Sequence, residues 1–101
     1  MIFPITLFGG GDFALWIEPE HYKALGACLA AARRQAKLTQ VELAESLGRT
    51  QTFVSEIERG ERRVDVLELL VIAGALGTHP RELFAEIARS VRWPRARISR
   101  R

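Results

Sequence analysis

Four polar side chains crowd into the run Q-T-F-V-S-E-I-E, residues 51–58: Gln51, Thr52, Ser55 and Glu56. On an α-helix, which turns about 100° per residue, they share one continuous face, and Val54 and Ile57 fall on the opposite one. Side chains of these types can read the edges of bases. A Gln amide pairs bidentately with adenine, a Glu carboxylate accepts from cytosine N4, and Thr or Ser hydroxyls donate, accept or touch a thymine methyl. For these eight residues in isolation, an ordinary solvated helix face is favoured over that interpretation, and it is the motif around them that reverses the balance. Around them stand groups able to hold a phosphate without distinguishing sequence: Gln40, Thr50, Arg59, Arg62 and Arg63. Phe53 is the odd member of the set. It is placed either to touch a thymine methyl or a sugar, or to pack on neighbouring side chains.

The elements that must position this face are legible upstream. Thr39, with Glu42 three residues on, forms a capping box, which opens a helix over residues 40–47. Gly48 ends it, because the residue past a helix end often needs a positive φ that glycine adopts without a Cβ penalty. Thr50 then serves as N-cap of a second helix beginning at Gln51. Leu43, Leu47, Val54 and Ile57 are the apolar positions of the pair, and Ala44 is small enough for two helices to cross closely. This spacing predicts a helix-turn-helix over residues 40–59. In such a motif the second helix enters the major groove and the first crosses the backbone.

The run L-T-Q-V-E-L-A-E-S-L-G-R-T-Q-T-F-V-S-E-I-E-R-G, residues 38–60, resembles the Cro and phage-repressor family of helix-turn-helix regulators, also called the XRE family. The likeness takes in Leu25, Gly26, Leu29 and Arg33 upstream and A-G-A-L-G-T-H-P-R-E-L-F downstream, roughly residues 22–88. It implies an all-α fold, a compact five-helix lambda-repressor-like DNA-binding domain, with double-stranded DNA as its partner and a dimer as its common working state. It also implies a structural pair, Arg33 with Glu58, joining the first helix to the end of the recognition helix and orienting it rather than contacting bases. His79 departs from the pattern, since the family usually has a hydroxyl N-cap there; a weaker start to the fifth helix is expected.

The remaining helices follow from periodicity and caps. Pro19 suits a first helical turn, and Tyr22, Leu25, Leu29 and Ala32 recur at helical spacing to about Ala36, opposite Lys23, Arg34 and Lys37. Cys28 shares the apolar face, so a buried thiol is expected. Asp65 with Glu68 caps a fourth helix through Leu76, which Gly77 closes, and Pro80 with Glu82 opens a fifth to about Ser90. The expected organisation is an irregular apolar N-terminal arm over 1–18, the DNA-binding domain over 19–90 and a basic tail over 91–101. In the arm, Ile2 to Phe8 has β-forming residues that Pro4 would confine to a sheet edge. Gly9-Gly10-Gly11 reads as a hinge, since no Gly-Lys-Ser/Thr follows to make a phosphate loop. From Arg89 onward the chain has six arginines and no acid, either a further phosphate contact or a solubilising tail.

Composition bounds the rest. A chain of 101 residues with 48% hydrophobic residues can build one core without staples. Its net charge is +3, but residues 1–20 hold three acids and no base, leaving +6 on the remainder, which suits a polyanion. The single cysteine excludes an intrachain disulfide and a thiolate zinc site, which fits a reducing cytoplasm. The apolar start lacks a signal peptide's basic end and is too short for a membrane span. His21 and His79 lack partners at metal-ligand spacing and no serine sits in a nucleophile elbow, so neither an enzyme, a metal nor a cofactor is expected.

Two functions of different class fit: a sequence-specific regulator acting on an operator as a dimer, or an antitoxin-like protein-interaction module on the same scaffold. The fourth helix bears on both. Leu67, Val71 and Gly74 lie at i, i+4 and i+7 on a face that is often polar in the family, making this helix apolar nearly all round. A second subunit or the N-terminal arm would cover such a face; a slightly rotated helix that buries it in the core is the alternative.

Overall fold

The computed structural model describes residues 17–92, and the expectations for the arm's hinge and edge strand and for the tail's arginines beyond Arg92 lie outside them. The fold is five helices: α1 (Pro19–Gln35), α2 (Gln40–Leu47), α3 (Gln51–Glu58), α4 (Val66–Leu76) and α5 (Pro80–Ser90). The described residues contain no strand, and none of their helices is long and apolar enough to cross a membrane.

Local chemistry sets the boundaries. Thr39 Oγ1 accepts from the Glu42 N–H at 3.0 Å while Glu42 accepts from the Thr39 N–H at 2.9 Å; Asp65 and Glu68 do the same for α4 at 2.8 and 3.0 Å. Each box occupies backbone donors that a helix start leaves orphaned. Gly48 closes α2 with φ +67, and the chain turns there into α3. The fifth helix corrects one expectation. His79 is no weak cap, because its Nδ1 accepts from the Arg81 N–H at 3.0 Å and supplies the acceptor a hydroxyl would otherwise provide. His21 acts similarly at the head of α1, taking the Glu18 N–H at 2.7 Å.

The apolar faces meet in two adjoining clusters. Leu29 of α1, Ile57 of α3, Ile72 and Ala73 of α4 and Leu83 of α5 form the larger. Leu43, Ala44 and Val54 form the smaller, with Phe53 packed against both. Ala44 is almost fully enclosed, which lets α2 and α3 cross closely. Gly26 has the same role between α1 and the end of α3. Cys28 is buried and burial pushes its thiol pKa up, leaving it protonated and inert. Val91 is buried just beyond α5, its N–H bonded to the Ile87 carbonyl.

The outer face of α4 is not rotated inward. Leu67 is 71% and Val71 58% exposed, Gly74 is exposed, and Val66, Leu70 and Phe84 of α5 join them.

Candidate nucleic-acid interface

α3 presents its polar residues along one arc, in the angular order Gln51, Ser55, Thr52, Glu56 at about 100° per residue. Gln51 and Thr52 are exposed; Ser55 and Glu56 are half-buried. Val54 and Ile57 are buried on the far side and anchor the helix. The same geometry borders the arc with Glu58 beside Gln51 and with Phe53 beside Glu56. Both borders carry networks.

On the Glu58 side, Arg33 Nε donates to Glu58 Oε2 at 2.7 Å and Arg33 Nη2 to Oε1 at 3.1 Å, a bidentate grip between α1 and the end of α3. Arg33 Nη1 also donates to the Leu38 carbonyl at 2.8 Å. Burial would raise the Glu58 pKa, but hydrogen bonds from Arg33 and Gln40 outweigh it and hold the carboxyl below its ordinary value. The network then reaches the surface. Gln40 Nε2 donates to Glu58 Oε1 at 2.9 Å, and Gln51 Nε2 donates to Gln40 Oε1 at 3.2 Å. Gln40 thus ties the buried ion pair to the first residue of α3, a link between residues far apart in sequence that periodicity could not reveal.

On the Phe53 side, the guanidinium carbons of Arg49 and Arg62 lie over the ring, 4.6 and 4.4 Å from its centroid. Arg49 was not among the residues singled out from sequence. Its only signal is a position four residues before an aromatic, in the turn between the two helices. Thr50 caps α3 through a bond from the Phe53 N–H at 3.2 Å.

The remaining arginines differ in how far they are committed. Arg59 donates to Ser55 Oγ and to both carboxylate oxygens of Glu61, at 3.0 and 3.1 Å. Arg62 pairs with Glu68 at 3.2 Å and donates to the Arg63 carbonyl at 2.7 Å. Arg63 is exposed and has no ion pair among the described residues. Exposed pairs of the Arg59–Glu61 kind are weak and screened by solvent, so a phosphate can compete for these guanidiniums.

Comparison with known proteins agrees with this fold. A helix-turn-helix family model matches residues 29–83. The HTH-type transcriptional regulator y4dJ of Sinorhizobium fredii is 39% identical over 61 residues, covering 60% of this chain and 79% of that protein. The immunity repressor protein of Bacillus phage phi105 is 38% identical over 53 residues, 52% of this chain but 37% of the repressor. Among solved structures, an XRE-family like protein from Pseudomonas syringae pv. tomato superimposes with a TM-score of 0.61 at 43% identity, over 69% of this chain and 85% of that one. With two capped helices crossing at Ala44, a polar arc facing outward on the second and these relatives in agreement, the chain belongs to the XRE family of helix-turn-helix DNA-binding transcriptional regulators.

Proposed function

We propose that residues 19–90 bind an operator sequence specifically, as a dimer, with α3 in the major groove, and that the bound protein represses transcription. The observation that carries this reading is the arc of Gln51, Thr52, Ser55 and Glu56, exposed at Gln51 and Thr52 and half-buried at Ser55 and Glu56, between two networks that hold its helix in place. Gln51, Thr52, Ser55 and Glu56 read bases. Gln40, Thr50, Arg59, Arg62 and Arg63 position the duplex through its phosphates. The likeness to a phage immunity repressor supports the repressing sign.

Gln51→Ala and Glu56→Ala are each expected to lower affinity for the preferred site by about 1–3 kcal/mol while sparing nonspecific binding, because a lost base contact removes discrimination and little else. Arg63→Ala acts differently. It weakens binding to every sequence and flattens the salt dependence by about one released counterion. Selection of sites from random duplexes measures both effects; if the two α3 variants enrich the parent's operator with parental affinity, the reader assignment fails.

Dimerisation is assigned to the outer face of α4, Leu67, Val71 and Gly74, extended by Val66, Leu70 and Phe84. These side chains are apolar and exposed, and a Cβ built at Gly74 meets nothing within 4 Å, so a second backbone can approach closely there. A two-fold pairing would set the recognition helices about one DNA turn, roughly 34 Å, apart. Sedimentation of the whole chain at tens of micromolar should give a dimer, and Val71→Glu a monomer. A parent and variant that are equally monomeric without DNA would remove α4 as the free-state interface, and binding of a different protein there would favour an interaction module.

A further inference from the structure

Phe53 and Arg49 are given no contact with DNA in the reading above, yet both stand at the edge of the base-reading arc. The guanidinium carbons of Arg49 and Arg62, at 4.6 and 4.4 Å from the Phe53 centroid, are within the roughly 6 Å reach of a cation–π contact. They arrive from different segments, one from the turn between α2 and α3 and the other from the connector after α3. Two like charges held at one ring repel each other, and that repulsion is relieved when an anion comes between them. Arg62 already has an anion in Glu68, whereas Arg49 is exposed and has no ion pair among the described residues.

A guanidinium that lies on an aromatic face keeps its N–H edge outward, and that edge matches phosphate geometry. Phe53 is itself half-buried and packed against both core clusters, so it is a fixed platform. The freedom Arg49 gives up is therefore surrendered on folding rather than on binding. Direction supplies the last step. In a major groove about 12 Å wide, the two sides of an inserted helix face the two phosphate backbones, and Phe53 borders the arc on the side away from Gln40.

We propose that Phe53 is a positioning residue that orients Arg49, with Arg62 on the same ring, to grip a DNA phosphate on the Glu56 side of α3. This rests on the DNA-binding reading given above. Arg49 thereby becomes a phosphate contact, and the aromatic its support.

Salt titrations of binding to one 20-base-pair duplex test it, using the parent, Arg49→Ala, Phe53→Leu, Phe53→Tyr and the double variant Arg49→Ala/Phe53→Leu. Arg49→Ala, a surface change that spares the core, should reduce the slope of log K against log salt by about 0.9, which is a loss of about eight-fold at 0.1 M salt for any sequence. Phe53→Leu should lose part of the same slope, Phe53→Tyr should keep it, and Phe53→Leu should weaken binding less in the Arg49→Ala background than in the parent. Thermal unfolding of each variant accompanies the titration. A parental slope in Arg49→Ala overturns the phosphate contact. An equal loss from Phe53→Leu in both backgrounds overturns the positioning role and leaves Phe53 a packing residue. A parent that binds no duplex at 50 mM salt overturns the functional reading, and the proposal with it.

Discussion

Glu58→Ala is expected to cost about 3–5 kcal/mol of folding stability, because it leaves the Arg33 guanidinium buried without its counter-charge. The Arg33 and Glu58 side chains are 11% and 8% exposed, so water replaces the lost partner only in part. A domain of this size has about 5–15 kcal/mol in total; the variant is therefore close to unfolding at ambient temperature. Removing both charges should be gentler than removing one, and Arg33→Met/Glu58→Leu is expected to lie well above Glu58→Ala in urea denaturation. A Glu58→Ala variant within about 1 kcal/mol of the parent would put the pair in the class of ordinary surface bridges.

The same pair gives a pH signature. Glu58 is held below its ordinary value of 4.5 in the folded chain, so its contribution is complete above that pH and is lost as pH falls through the lower folded value. Glu58→Gln removes this titration. Its stability should therefore fall less steeply than the parent's as pH drops below about 4.5. A functional consequence follows from the same hydrogen bonds. Glu58 holds Gln40, and Gln40 holds Gln51, so variants that do fold should bind their preferred site with reduced discrimination.

Gly26→Ala is the second large effect. A Cβ there would stand 2.4 Å from the Ile57 carbonyl oxygen, 2.5 Å from the Glu58 carbonyl oxygen and 2.8 Å from the Glu58 carbonyl carbon. All three are backbone atoms at the end of α3, and none can swing aside as a side chain would. α1 must be forced away from α3. Overpacking of a tight core typically costs about 1–3 kcal/mol and sometimes more, partly offset by the ~1 kcal/mol that alanine gains over glycine within a helix. With backbone atoms as its three nearest neighbours, the net loss is expected at the upper end, about 3 kcal/mol. Gly74→Ala is the internal contrast within a single subunit: nothing of its own chain lies within 4 Å of its Cβ, so at protein concentrations that keep the chain monomeric the helix-propensity gain of about 1 kcal/mol stands alone. Opposite signs at the two glycines, measured by urea denaturation at low micromolar protein, are the expected outcome. A neutral Gly26→Ala would mean that α1 and α3 approach less closely than these distances require.

What the residues alone determined was whatever depends on near neighbours in the chain. The starts of α2, α3 and α4 were readable because a capping hydrogen bond joins residues three apart, and the turn at Gly48 because a left-handed backbone selects for glycine. The division of α3 into a polar arc and an anchored face followed from helical periodicity in the same way. His79 escaped this reading, since an imidazole nitrogen can take a backbone N–H where a hydroxyl was expected. Tertiary structure decided the rest. Gln40 could be placed near phosphates by its position at the start of α2, but its bond to Glu58 spans 18 residues and exists only once α2 and α3 have crossed. Arg49, Phe53 and Arg62 likewise come from a turn, a helix and a connector, and their grouping depends on where the folded chain returns to the same surface. Whether Leu67 and Val71 are core or surface was open from periodicity because α4 is apolar all round; only its packing against α2 and α5 chose Ile72 and Ala73 for the interior and left the other face outside.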